Sequence, residues 1–291
     1  MEKFQTFHKN PKVPAPLPPP GTCDSQFHVF GPVEQYPIRP GAIYCTPEAT
    51  IEAALKLHKT LGISRGVIVQ SSAYGMDFRV LYDALATAGP NYQGCVVIDD
   101  TVSDKELQKL HDAGVRGARF NFWKVLNLVP TPESFNRAID RIKDMGWYIK
   151  LHVPVDELIE LKALFEPVKL NIVMDHFGRP EFSRGVDHPS IRFIIDVLKK
   201  GNWWVMLSNG DRWSTKGKPW DDAVDFAKVY FDAAPDRMIW GSDWPHPLIP
   251  ESEPPKDDGA LLELAYRYAD TDALRKKMLV DNPAALFGFK V

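Results

Sequence analysis

The chain has no glycine-rich phosphate loop. Neither G-x-G-x-x-G nor a Walker sequence follows its first apolar run, so an open nucleotide-binding sheet lacks its usual mark. Its three cysteines, Cys23, Cys45 and Cys95, show no metal-ligand spacing, and an odd count fits a reducing compartment better than a disulfide scaffold. Cytoplasm is therefore expected. No run approaches the roughly 18 apolar residues of a membrane span, and no apolar segment precedes a small-residue cleavage site near the N-terminus. Neither an anchored nor a secreted protein is expected. A charge surplus is also missing: a net −3 over 291 residues gives no global reason for a nucleic-acid or membrane partner, so any anion binding must be local. Ser71-Ser72 lack the flanking glycines of a G-x-S-x-G nucleophile elbow.

Proline is plentiful, and its placement divides the chain. Residues 1–21 carry the run from Pro11 to Gly21, which must be extended because proline fixes φ and lacks a donor. They read as an arm, and residues 22–291 as one domain. In that domain, short runs rich in β-branched and aromatic residues alternate with helical segments. The runs are Thr22 to Phe30, Gly66 to Ser72, Gly94 to Asp99, Gly114 to Phe122, Trp147 to Val153, Leu170 to His176, Trp203 to Ser208 and Met238 to Trp244. Helices are predicted between them, with proline and an acid in the first turn at Thr46-Pro47-Glu48 and Thr131-Pro132-Glu133. Eight such units close most simply as a (β/α)8 barrel, with a doubly wound sheet as runner-up and the tail from Gly259 as two or three helices.

In a barrel, polar residues at the C-terminal ends of strands face the site. Strand one supplies Gln26 and His28 with the two-residue spacing of one strand face, strand five His152, strand six His176 and strand eight Asp243. Three histidines and an aspartate from four strands suit a divalent metal such as zinc. They equally suit metal-free hydrolysis, in which imidazoles polarise a carbonyl while Asp243 takes a proton from water. Arg119, Lys124, Arg179 and Arg212 follow strand ends on the same face and suggest a small anionic substrate; Ser72 and Tyr44 add neutral hydrogen bonds. His8, His58, His111 and His188 lie in the arm or in helical segments and receive no role. His246 either lines the mouth or packs beneath Trp244. The tryptophans, Trp123 and Trp213 among them, are read as packing.

Several ordered segments together resemble the amidohydrolase superfamily, in its pyrone-dicarboxylate lactonase branch. They are His28-Val29-Phe30-Gly31-Pro32, Ile68 to Ser72, Gly117 to Phe122, Asp175-His176-Phe177-Gly178-Arg179-Pro180, Trp240 to Pro247 and Asn282-Pro283. The resemblance implies a lactone-opening hydrolase of aromatic catabolism, with Asp243 activating water and His28 and His176 holding the oxyanion, His152 assisting. Arg119, Arg179, Arg212, Ser72 and Tyr44 match positions that grip the substrate's acidic groups. Gln26 replaces the first histidine of the usual His-x-His, which favours action without a cofactor; the alternative is one zinc on His28, His152, His176 and Asp243. A related isomerase group shares Gln-x-His but lacks the strand-eight aspartate. Val125, with Lys124 beside it, stands where the branch has an arginine, and His152 where it has a tyrosine. The substrate is accordingly expected to be 2-pyrone-4,6-dicarboxylate or a relative such as a muconolactone or sulfomuconolactone. A decarboxylase or a non-catalytic anion-binding barrel are the further alternatives.

Overall fold

The computed structural model describes residues 4–290. Eight parallel strands follow one another in chain order: β1 Cys23–Phe27, β2 Arg65–Val69, β3 Tyr92–Val97, β4 Val115–Asn121, β5 Tyr148–His152, β6 Ile172–Met174, β7 Trp203–Leu207 and β8 Met238–Trp240. The last meets the first just beyond its own end. Asp243 N–H donates to the Gln26 carbonyl at 2.9 Å and His28 N–H to the Trp244 carbonyl at 2.7 Å. The doubly wound alternative is thereby set aside for a (β/α)8 barrel.

Each strand leads to a helix whose apolar face covers the barrel, from Ile51–Leu61 after β1 to Asp258–Tyr268 after β8. Side-chain oxygens cap several N-termini: Ser103 accepts from Glu106 N–H and Thr131 from Ser134 N–H. One predicted start is corrected. The first helix begins at Ile51 with Thr50 as its cap, so Pro47 and Glu48 precede it. Of the helices assigned to the tail, Asp258–Tyr268 is the eighth of the barrel ring, and only the segments from Asp272 onward are additional.

Strand alternation sends one set of side chains inward. Val67, Cys95, Tyr148, Val173, Trp204 and Ile239 form a cluster of their own, plugged by Leu286 and Phe287 from the C-terminal helix Asn282–Phe287. Strand β1 breaks the alternation. Its register shifts between Asp24 and Phe27, so Phe27 packs outward on His58 with ring centroids 4.8 Å apart, while Gln26 reaches inward to Asp243. Such an irregularity re-aims side chains beside a site. The proline-rich arm runs across the chain after β8: Gln5 N–H donates to the Ile249 carbonyl, Phe7 packs on Trp244, and Lys12 pairs with Glu263. No helix among the described residues is long and apolar enough to cross a membrane.

Candidate active site

Most strands end earlier than their apolar runs predict, and the candidate site residues lie in the difference. His28, Ser72, His176 and Asp243 all sit just past a strand end, where the backbone turns sharply. His176 has φ 48° and Asp243 φ 59°, left-handed conformations that cost an L-residue of this kind energy and persist only where surroundings hold them. The turns aim both side chains into one cavity of about 60 Å³. Its wall comprises His28, Tyr44, Ser72, Arg119, Trp123, Leu126, His152, His176, Arg179, Asn209, Arg212, Trp213, Asp243, Pro247 and Leu248.

Asp243 is buried, and both of its oxygens are engaged. Gln26 Nε2 donates to Oδ1 at 2.7 Å and Asn209 Nδ2 to Oδ2 at 2.8 Å, while His28 Nε2 lies 3.1 Å from Oδ1. Burial alone raises the Asp243 carboxyl, but His176, His28 and the Asn209 amide outweigh it and hold the group well below the usual carboxylate range. It is ionised at neutral pH. His28 Nδ1 is 2.6 Å from the Val69 carbonyl, which can only accept, so that nitrogen carries a proton. The ring's contact with Asp243 is then a hydrogen bond only when Nε2 is protonated as well.

Burial pushes His176 down to about 4, so the ring is neutral near pH 7. Its Nδ1 lies 2.7 Å from Ser208 Oγ and 3.2 Å from Asn209 Nδ2, which can only donate. Nδ1 is thus the acceptor, and Nε2 bears the proton. A neutral N–H donor and an ionised carboxylate therefore share one cavity, an unlike pair made by unlike surroundings.

His152 lines the cavity through a ring held on both sides. Its Nδ1 bonds Asn121 Oδ1 at 3.2 Å, and Nε2 accepts from Arg179 Nη1 at 2.7 Å. Burial, with Arg119 and Arg179 nearby, drives the ring well below its ordinary value and keeps it neutral. In this arrangement both ring nitrogens are engaged, one with Asn121 and one with Arg179. The guanidinium of Arg179 also lies 4.0 Å from the Trp123 ring and 5.0 Å from that of Trp213, so these two tryptophans are its walls rather than plain packing. Burial lowers Arg179 to about 10, leaving it charged at neutral pH.

Arg119 is oriented from below. Asp175 accepts from its Nε and Nη2 at 3.1 and 2.8 Å, and the buried Lys150 lies 3.1 Å from the other Asp175 oxygen. Arg212 donates to the Pro247 carbonyl at 3.0 Å, and Tyr44 Oη lies 2.8 Å from Ser71 Oγ and 3.2 Å from Ser72 Oγ. The structure does not bring Lys124 to the wall: it is exposed, as is Val125 beside it. Gln26 stands behind Asp243 instead of lining the cavity. His246 pairs with Asp258 at 3.0 Å, away from the wall.

Among the described residues, no group of three or more His, Cys, Asp or Glu side chains is placed to hold a metal ion. The donor set explains this. The Nε2 lone pair of His152 accepts from the Arg179 guanidinium, which leaves that ring none for zinc, while each Asp243 oxygen receives one amide N–H and Oδ2 keeps a lone pair open for a proton. The four residues named for zinc do not fit it in this arrangement.

The family model for amidohydrolases matches residues 23–289. The chain is 35% identical to a 2-pyrone-4,6-dicarboxylate hydrolase of Comamonas testosteroni, over 97% of this chain and 94% of that one. It is 38% identical to a 4-sulfomuconolactone hydrolase of Rhizobium radiobacter, over 93% and 91%. A solved structure of a probable 2-pyrone-4,6-dicarboxylic acid hydrolase from Acinetobacter baumannii, with citric acid bound, superposes with a TM-score of 0.82 at 25% identity, covering 92% of this chain and all of that one.

Proposed function

The chain belongs to the amidohydrolase family, and from that premise we propose that it is a lactone hydrolase opening a small dianionic lactone, 2-pyrone-4,6-dicarboxylate or a sulfonated or plain muconolactone, in aromatic catabolism. One observation carries the reading. The ionised Asp243 and the neutral N–H of His176 face the same cavity as three guanidinium groups, those of Arg119, Arg179 and Arg212. Three cations against one carboxylate leave the wall short of about two negative charges, which a dianion supplies.

In this mechanism the arginines seat the acidic groups and the lactone carbonyl points at His176. Water adds its oxygen to the carbonyl carbon as Asp243 takes its proton. His176 Nε2–H stabilises the oxyanion, and His28, whose Nδ1 proton goes to the Val69 carbonyl, joins it only when Nε2 is protonated as well. Collapse breaks the ring C–O bond, and the proton held by Asp243 passes to the departing oxygen; the new carboxylic acid loses water's second proton to solvent, giving a ring-opened carboxylate. A carboxylate held so low is a weak base in the free enzyme. The like charge of a bound dianion opposes its ionised form and raises its basicity when water must be deprotonated.

Hydrolysis of pyrone dicarboxylate, muconolactones and sulfomuconolactones, each with and without added zinc, tests the function. Ring opening of at least one dianionic lactone without zinc is expected, and failure on all of them overturns the proposal. Asp243→Asn should lower kcat by about 10³-fold or more with an unchanged circular dichroism spectrum; a variant that keeps wild-type turnover removes Asp243 from the chemistry.

A further inference from the structure

One fully buried ionisable pair takes no part in the reaction above. Asp24, on β1, and His58, on the helix Ile51–Leu61, are 0% and 1% exposed, with His58 Nε2 3.2 Å from Asp24 Oδ2. His58 Nδ1 lies 3.0 Å from Tyr92 Oη on β3. Stability alone is a poor reason for such a pair, since well-packed apolar side chains commonly serve as well.

The other contacts of Asp24 give the reason. Its Oδ1 accepts from Ser242 N–H at 2.9 Å and from Gln26 N–H at 3.1 Å; its Oδ2 accepts from Ser242 Oγ at 2.5 Å. Ser242 Oγ in turn accepts from Trp244 N–H at 3.0 Å. The carboxylate therefore grips both sides of the β1–β8 seam. On one side is the backbone of Gln26, whose side chain donates to Asp243; on the other is the residue preceding Asp243. With His58 added, each oxygen has two polar neighbours, so the carboxylate is held from four directions. Asp243 between these anchors has a positive φ, which needs such over-determination to persist.

We propose that Asp24, with His58 behind it, is a positioning residue that fixes the aim of the Asp243 carboxylate through Ser242 and Gln26. This rests on the reading of Asp243 as the base. The arginines assigned to substrate, with Trp123 and Trp213 beside Arg179, follow other strands, and the bond from Arg212 to the loop after β8 falls on Pro247, beyond Asp243 and not on the clamp. Loss of the clamp should therefore appear in kcat and spare KM.

Asp24→Asn removes two of the acceptor sites, and Ser242→Ala removes the hydroxyl contact while keeping the backbone one. In each, kcat should fall by about 100-fold, the scale of an ångström's misplacement, with KM within roughly threefold of wild type. Crystal structures of the variants should show the Asp243 carboxylate shifted from Gln26 and His28. If Asp24→Asn does not fold, Ser242→Ala decides. A folded Ser242→Ala variant with kcat within about twofold of wild type, or with an unmoved Asp243, overturns the clamp, as does a raised KM at unchanged kcat. If wild-type protein opens no lactone, the functional reading fails, and the clamp is judged by the position of Asp243 in the crystals alone.

Discussion

Arg179 shows how a single side chain is prepared for an anion. His152 fixes one nitrogen, Trp123 and Trp213 flank the guanidinium plane, and the remaining edge borders the cavity. Lysine in its place has no planar fork and no flat face to stack. Arg179→Lys is expected to raise KM about 10- to 100-fold, the loss of one hydrogen bond to a charged group, with a smaller effect on kcat. Steady-state kinetics on the dianionic lactone checks this, and an unchanged KM would remove Arg179 from substrate binding. The residue's charge and place after β6 were readable in the sequence; its partners were not. Trp123 and His152 come from different strand ends, and only closure of the barrel brings them together. Asn209 was missed although a signal existed, since it directly follows Ser208 at the end of a predicted strand. Its left-handed backbone, φ 61°, is a conformation asparagine tolerates better than most.

At the level of elements, the seam between β1 and β8 leaves little room for change. Gly241 sits where the strands approach so closely that a Cβ would stand 2.8 Å from both Cβ and N of Gln26 and 3.0 Å from Met206 Sδ. Backbone cannot give way there without moving Gln26, and Gln26 touches the Asp243 carboxylate. Gly241→Ala should cost about 1–3 kcal/mol, a fall of several degrees in Tm by calorimetry, with reduced kcat. Wild-type Tm and turnover would show that the seam relaxes freely. The strands themselves were legible because buried parallel strands read as apolar runs. Their ends were not, because His176 and Asp243 continue the residue pattern of a strand while their backbones leave it. The irregularity in β1 was invisible for the same reason: Gln26 and His28 do face inward together, yet a shift after Asp24 produces this, not an unbroken alternation.

For the whole molecule, the buried histidines set how stability follows pH, and they act in opposite directions. His176, pushed down to about 4, and His152, held well below 6.5, are harder to protonate folded than unfolded. Between the unfolded value near 6.5 and the folded values, the unfolded chain binds more protons, so both contribute stability that is present above about 6.5 and lost as pH falls toward 4. His246 behaves conversely. Burial works against its charged form, but Asp258 outweighs burial and raises it, so its contribution is full below the unfolded value and lost as pH rises through the folded one. Asp243, held well below its ordinary value, adds to the same acid limb, since its contribution starts to fall as pH approaches the unfolded carboxylate value from above. Melting temperature should therefore climb from pH 4 to a maximum near 6.5 to 7 and then decline gently. A calorimetric series across this range checks the shape, and His246→Gln should flatten the alkaline decline while leaving the acid limb in place. An acid limb absent from the wild type would mean that His152 and His176 are not held neutral, which would remove the neutral N–H donor from the proposed chemistry.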